Sequence, residues 1–222
     1  MACETKSDYM ITPKELKRLN DDLAFAYYDL EEYSIIFLES ETRINLLNKV
    51  APSFFVTTKN FYWNSFIMTI SRFTDPCEQS SNKNLSLDSL QKYITEIEDR
   101  GQDLFNSNLK KIGLEVKNIR KMRSKYISHR DYDYALLDKK DIEAIGINKI
   151  REIYELLGQC LNIFNKHCLE RIILFKGLRT NHGARSLIYY LKEGVIYSEV
   201  KTRRKNLILN MEETSLSQFK DA

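Results

Sequence analysis

The chain has 222 residues, 43% of them hydrophobic, with a formal net charge of only +3. That is enough to bury one sizeable core, and it rules out a disordered, collagen-like or globally basic chain. Three prolines and seven glycines, with long periodic runs between them, point to an all-α protein. No apolar run approaches the roughly 20 residues of a membrane span, and no signal peptide is recognisable, so a cytoplasmic protein with no membrane association is expected. The cysteines (Cys3, Cys77, Cys160, Cys168) form no CxxC pair or zinc-ligand set, which suits reduced thiols. Cys160, His167 and Cys168 share a predicted helix and read as core packing; no metal or cofactor is expected.

Thr12-Pro13-Lys14-Glu15 is a strong helix start. Thr12 caps, Pro13 takes the first helical position and Glu15 closes the capping box. Leu16, Leu19, Leu23, Tyr27, Leu30 and Phe37 trace one face of a helix to about Leu38, with a break at Ser40-Glu41. Pro52 opens an aromatic-rich helix to about Phe73, apolar on most sides. It is expected to be the most buried element, with Trp63 largely inside. Asp75-Pro76 ends it, because the residue before proline is pushed out of the helical region. A polar loop follows, then a short helix beginning near Leu85 and capped by Ser86. Arg72 is scarce company for such an apolar helix, and pairing with Asp75 or Asp131 is expected.

The next helix is amphipathic, with Ile112, Val116 and Ile119 on its apolar stripe. Four residues on, the stripe meets Arg123 instead of a hydrophobe, so that arginine must be paired or face a cleft. From Leu109 to Arg130 there are eight basic residues (Lys110, Lys111, Lys117, Arg120, Lys121, Arg123, Lys125, Arg130) against one acid, Glu115. A local excess of this size points to an anionic partner, RNA being the usual one, with Lys117, Arg120, Lys121, Lys125 and Arg130 as the contacting set. A solvated basic face is the plainer reading of the same residues. His129, six residues after Arg123, can titrate near neutral pH. On an ideal helix the two would lie about 120° apart around the axis, so they converge only if the helix ends or bends before His129.

Arg123, five residues, then His129 resembles the Arg-x(4–6)-His motif of the HEPN superfamily, with Ser124 where a polar Asn, Asp or His is common. Four segments sharpen the resemblance to the abortive-infection AbiU-type HEPN family. They are Leu46–Phe55 with Ile70-Ser71-Arg72-Phe73-Thr74-Asp75-Pro76, then Asn84-Leu85-Ser86-Leu87, and Lys125-Tyr126-Ile127-Ser128-His129-Arg130-Asp131. Together they cover roughly residues 46–175. The resemblance implies an up-down bundle of four to five helices and a homodimer bringing two motifs together. It further implies a metal-independent endoribonuclease of the toxin or abortive-infection type, which also brings a cognate antitoxin into view as a partner. Arg123 and His129 would be catalytic, with Ser124, Asp131 and Tyr132 in support; Asp131 would orient the imidazole, and Tyr132 is a candidate for regulatory nucleotidylation. A module that binds RNA, nucleotide or a protein partner without cleaving is the alternative.

Beyond the motif, Tyr132 to Lys140 reads as a connector and Asp141 as a cap ahead of Gly146. A long helix is expected from about Ile147 to Lys176, stopped by Gly177. The simplest division is a helical bundle over residues 1–178 and an appendage over 179–222. In the appendage, Ala184–Leu191 suits a short helix. Val195–Val200 and Leu207–Leu209 have strand-like composition compatible with a β-hairpin, followed by a flexible tail.

Overall fold

The computed structural model describes residues 11–79, 81–128, 145–177 and 182–218. The chain is all-α. Its helices are α1 (Pro13–Phe37), α2 (Glu41–Val50), α3 (Pro52–Thr74), α4 (Leu87–Gln91), α5 (Asp99–Met122), α6 (Ile147–Leu169) and α7 (Ala184–Gln218). A 3₁₀ turn occupies Ile94–Glu96, and α5 runs on into a π-helical stretch at Arg123–Ser128. Among the described residues the only strands are the two-residue pair β1 (Glu78–Gln79) and β2 (Asn82–Lys83), antiparallel with Glu78 opposite Lys83. No helix among the described residues is long and apolar enough to cross a membrane.

The chain divides into two compact units, one of Met1–Glu31 and Lys59–Leu178, the other of Glu32–Thr58 and Arg179–Ala222. In the first, α6 is the central element. Ile150, Ile153, Tyr154, Leu157, Cys160, Leu161 and Phe164 are all at most 1% exposed. Helix α1 lies antiparallel to α6: Tyr27 meets Tyr154 edge-on at 5.6 Å, and further along Asn20 meets Asn165. Helix α5 is also antiparallel to α6, with Phe105 against Phe164 at one end and Glu115 bridged to Lys149 at the other. Helix α3 adds Phe66, whose ring stands edge-on to Tyr154 at 6.3 Å.

The local signals work as the residues dictate. Thr12 Oγ1 accepts the Glu15 N–H at 3.2 Å while the Glu15 carboxylate accepts the Thr12 N–H at 2.9 Å, a closed capping box. The Ser86 N–H donates to Ser89 Oγ at 3.1 Å at the start of α4.

Three expectations are corrected. Helix α3 is not the most buried element. Its burial changes along its length: Phe66, Ile67, Ile70 and Phe73 are buried, whereas Phe54, Val56 and Phe61 are about two-thirds exposed. Trp63 lies at the transition and is half-buried, its ring 6.1 Å from Phe66. Helix α6 stops at Leu169, well before Gly177. Glu170 takes the left-handed conformation (φ 52°) and its N–H returns to the Asn165 carbonyl. The Asn162 amide then grips the backbone of Ile173, accepting its N–H at 2.9 Å and donating to its carbonyl at 3.0 Å. This turns Phe175 back to stack on Tyr27 at 6.0 Å. Gly158 makes room there, since a Cβ would sit 3.2 Å from the Phe175 ring.

The third correction concerns the second unit. Residues 195–200 and 207–209 form no hairpin; they lie within α7. Their β-branched composition suits a strand, but Ala184, Ile188, Leu191 and Val195 recur at helical spacing on the inward side. The Glu32 carboxylate accepts the Ala184 N–H at 2.5 Å, placing negative charge at the positive end of α7. The connector over 132–140 and the Asp141 cap lie outside the described residues.

Asn20 and Asn165 are buried and exchange two hydrogen bonds, at 2.7 and 2.9 Å. Replacing either by Ala leaves at least one buried amide atom of the other without its partner and costs about 1–3 kcal/mol. In urea denaturation the Asn20→Ala/Asn165→Ala double variant is expected to lose less than the two single losses added together, because the second change removes a group already orphaned.

Candidate functional site

Helix α3 ends at Thr74 because Asp75 precedes Pro76. The end of α5 arrives beside it. Arg123 Nη1 donates to both oxygens of Asp75, at 2.9 and 2.8 Å, and both side chains are largely shielded (26% and 17% exposed). One turn earlier Arg120 donates to the Thr74 carbonyl. Arg123 is therefore paired, as its position on an apolar stripe requires. Its carboxylate is Asp75, so the expected Arg72–Asp75 pairing is not the one formed, and Arg72 is exposed.

Arg123 is also where the winding changes. Through Met122 the helix is α; Arg123–Ser128 closes the wider i→i+5 turns of a π-helix. Such a stretch rotates less per residue than 100°, so the angular relation that an ideal helix fixes between Arg123 and the residues after it no longer holds. Short π segments recur at functional sites.

A groove of about 600 Å³ opens beside this junction. Its floor is apolar, from Leu87 of α4 and Leu109, Ile112 and Val116 of α5; Thr74 and Pro76 stand at one edge. Lys117, Arg120, Lys121, Ser124 and Lys125 also line it. These are four of the five proposed RNA-contacting cations together with Ser124, and they share one face because they recur every three or four residues. Among the lining residues the only carboxylate is Asp88. The one acid of the basic stretch, Glu115, bonds Lys149 at 3.1 Å and is not part of the groove.

Asp88 is occupied structurally. It accepts the Cys77 N–H at 2.8 Å, and that bond holds its carboxyl below the usual aspartate value. The same carboxylate, as hydrogen-bond acceptor, pushes the Cys77 thiol up. His129, Arg130, Asp131 and Tyr132 lie outside the described residues. Among the described residues no group of three or more His, Cys, Asp or Glu side chains could hold a metal ion. Burial raises the Cys160 thiol to about 12, as befits a core residue.

Reading the sequence alone did not pick out Asp75 as the partner of Arg123, nor Asp88 and the apolar floor. For Asp75 a signal existed. An arginine on the buried stripe of one helix and an Asp-Pro helix stop in another segment are each incomplete until they meet.

The Asp88 carboxyl, depressed in the folded state, stabilises the fold fully above its unfolded value of about 3.9, and that contribution is lost as pH falls through the lower folded value. Asp88→Asn keeps an acceptor for the Cys77 N–H and removes only the charge. In urea denaturation it should be less stable than the parent at pH 7, with the gap closing as pH is lowered below about 4.

No curated protein and no solved structure matches the chain. The family model for AbiU2, of the HEPN type, matches residues 13–171, from the first helix through the end of α6. The helix stop at Asp75-Pro76, the groove and Arg123 all lie within that span, and the chain belongs to the AbiU2 HEPN family.

Proposed function

We propose that the protein is a metal-independent endoribonuclease of the toxin or abortive-infection type, acting in the cytoplasm with the α5 groove holding RNA. One observation carries this reading: four cations line an apolar-floored groove at whose end Arg123 is fixed by Asp75. Cations suit phosphates, and an apolar floor suits the faces of unpaired bases. Family membership supports the same class of activity.

The reaction needs no oxidant or metal. The RNA 2′-oxygen attacks its own phosphorus, the P–O5′ bond breaks, and a 2′,3′-cyclic phosphate and a 5′-hydroxyl remain. One group must take the 2′ proton, another must give a proton to the 5′-oxygen, and positive charge must meet the phosphorane. His129 supplies the acid–base function, worth roughly 10²–10⁴-fold. Arg123 supplies charge; its guanidinium has five donors, and Nη1 alone serves Asp75. One motif offers one imidazole, so the full set requires a homodimer in which two copies each contribute Arg123 and His129. Asp131 orients His129, Ser124 and Arg130 contact the backbone, and Tyr132 is a position where modification silences the site. A cognate antitoxin would act by covering the groove.

A second reading has a specific observation in its favour. Asp75 offsets the Arg123 charge, as in an arginine whose task is to hold two helices together. On that reading the groove binds RNA, nucleotide or a protein partner without cleaving.

Incubating single-stranded RNA with the protein in EDTA separates the two. Cleavage should persist in chelator. His129→Ala should lose at least about 100-fold in turnover while binding survives. Arg123→Ala should lose turnover and some affinity, because a guanidinium also meets phosphate in the ground state. Cleavage by His129→Ala at the parent rate would remove the nuclease assignment, and salt-dependent binding without cleavage would establish the second reading.

A further inference from the structure

Helix α7 lies beyond the residues the family model matches. Its inward stripe, Ala184, Ile188, Leu191 and Val195, is spent by Val195; from Ile196 to Ile208 every residue is exposed. On another face runs a second stripe: Tyr189, Glu193, Ile196, Val200, Arg203 and Leu207. The spacings are 4, 3, 4, 3 and 4, the seam of a coiled coil. Its four apolar members are between 54% and 65% exposed. It extends over about 27 Å of helix.

The order of residues along this seam reads as its own complement. Laid antiparallel against a second copy, with the twofold axis crossing between Ile196 and Val200, Tyr189 faces Leu207, Glu193 faces Arg203 and Ile196 faces Val200. The same three pairs recur on the other side of the axis, as an isologous interface demands. Other arrangements fail. A parallel pair sets Glu193 against Glu193 and Arg203 against Arg203. An antiparallel pair shifted by one heptad sets Glu193 against Ile196 or Arg203 against Val200, leaving a charge on an aliphatic partner. Among the described residues neither Glu193 nor Arg203 is in an ion pair of its own chain, whereas neighbouring Glu199 is bridged to Lys49 at 2.5 Å. Arg203 does act on the Glu199 charge from one turn away.

We infer that α7 is a self-association element: two copies of this chain pair through antiparallel α7 helices in the register that sets Glu193 against Arg203. The pairing needs neither RNA nor cleavage, so it stands apart from the function proposed for the groove.

Sedimentation velocity over a concentration series tests it, with the full chain and three variants at exposed positions. Helical content by circular dichroism checks that each is folded. The parent should be a dimer at micromolar concentration. Glu193→Arg and Arg203→Glu should each weaken association by about tenfold or more, because each sets like charges face to face twice per dimer. The double variant Glu193→Arg/Arg203→Glu restores opposite charges in the antiparallel register alone and should return to within about threefold of the parent. A parent that stays monomeric to about 100 µM would overturn the inference. So would single variants that associate as the parent does, which would put the interface elsewhere, or a double variant that fails to recover, which would exclude the register.

Discussion

The Arg123–Asp75 ion pair sets the geometry on which the candidate site depends. It joins the end of α3 to the residue where α5 gives up its α winding, and Arg120 adds a second tie to the Thr74 carbonyl. The Thr74–Pro76 edge of the groove is thereby held beside the cationic face of α5. The pair is mostly shielded from solvent, so its loss falls between the ranges for exposed and buried pairs, roughly 1–3 kcal/mol. Removing Asp75 would do more than destabilise. A largely shielded guanidinium on an apolar stripe would be left without its carboxylate.

That groove combines two chemistries that seldom coincide by accident of folding. Its floor is formed by largely buried apolar residues of α4 and α5, while its wall carries lysine and arginine beside a single carboxylate, Asp88, already engaged by the Cys77 backbone. Soaking up so much like charge on one helical face costs stability through self-repulsion, and an anionic ligand relieves it. Glu115, which might have balanced the charge from within α5, is used instead to hold Lys149 of α6.

Much of this was legible in the sequence where a local rule acts alone. The Thr12–Glu15 capping box, the Asp75-Pro76 stop and the Ser86 start follow from groups within a few residues of one another, and the basic face of α5 follows from helical spacing. What was not legible came from groups far apart in the chain. Arg123 finds Asp75 across 48 residues, while Arg72, three residues from Asp75, stays in solvent. Helix α6 ends early because the Asn162 amide, eleven residues back, captures Ile173. In α7 composition misled: Val195, Ile196 and Val200 favour strands, but the inward stripe and the Glu32 cap decide for helix. Trp63 sits on the right face of α3 but too far along it to be covered.

The central claim is that the cationic face of α5 is where a polyanion lies, and the salt dependence of RNA affinity tests it most directly. Log affinity should fall linearly with log salt, because each neutralised phosphate releases counterions. Lys117→Gln and Lys121→Gln, both at exposed positions of the groove wall, should each reduce that slope by about 0.7 while leaving the fold intact. Slopes equal to the parent's in both variants, with RNA still bound, would place the polyanion elsewhere and contradict the account.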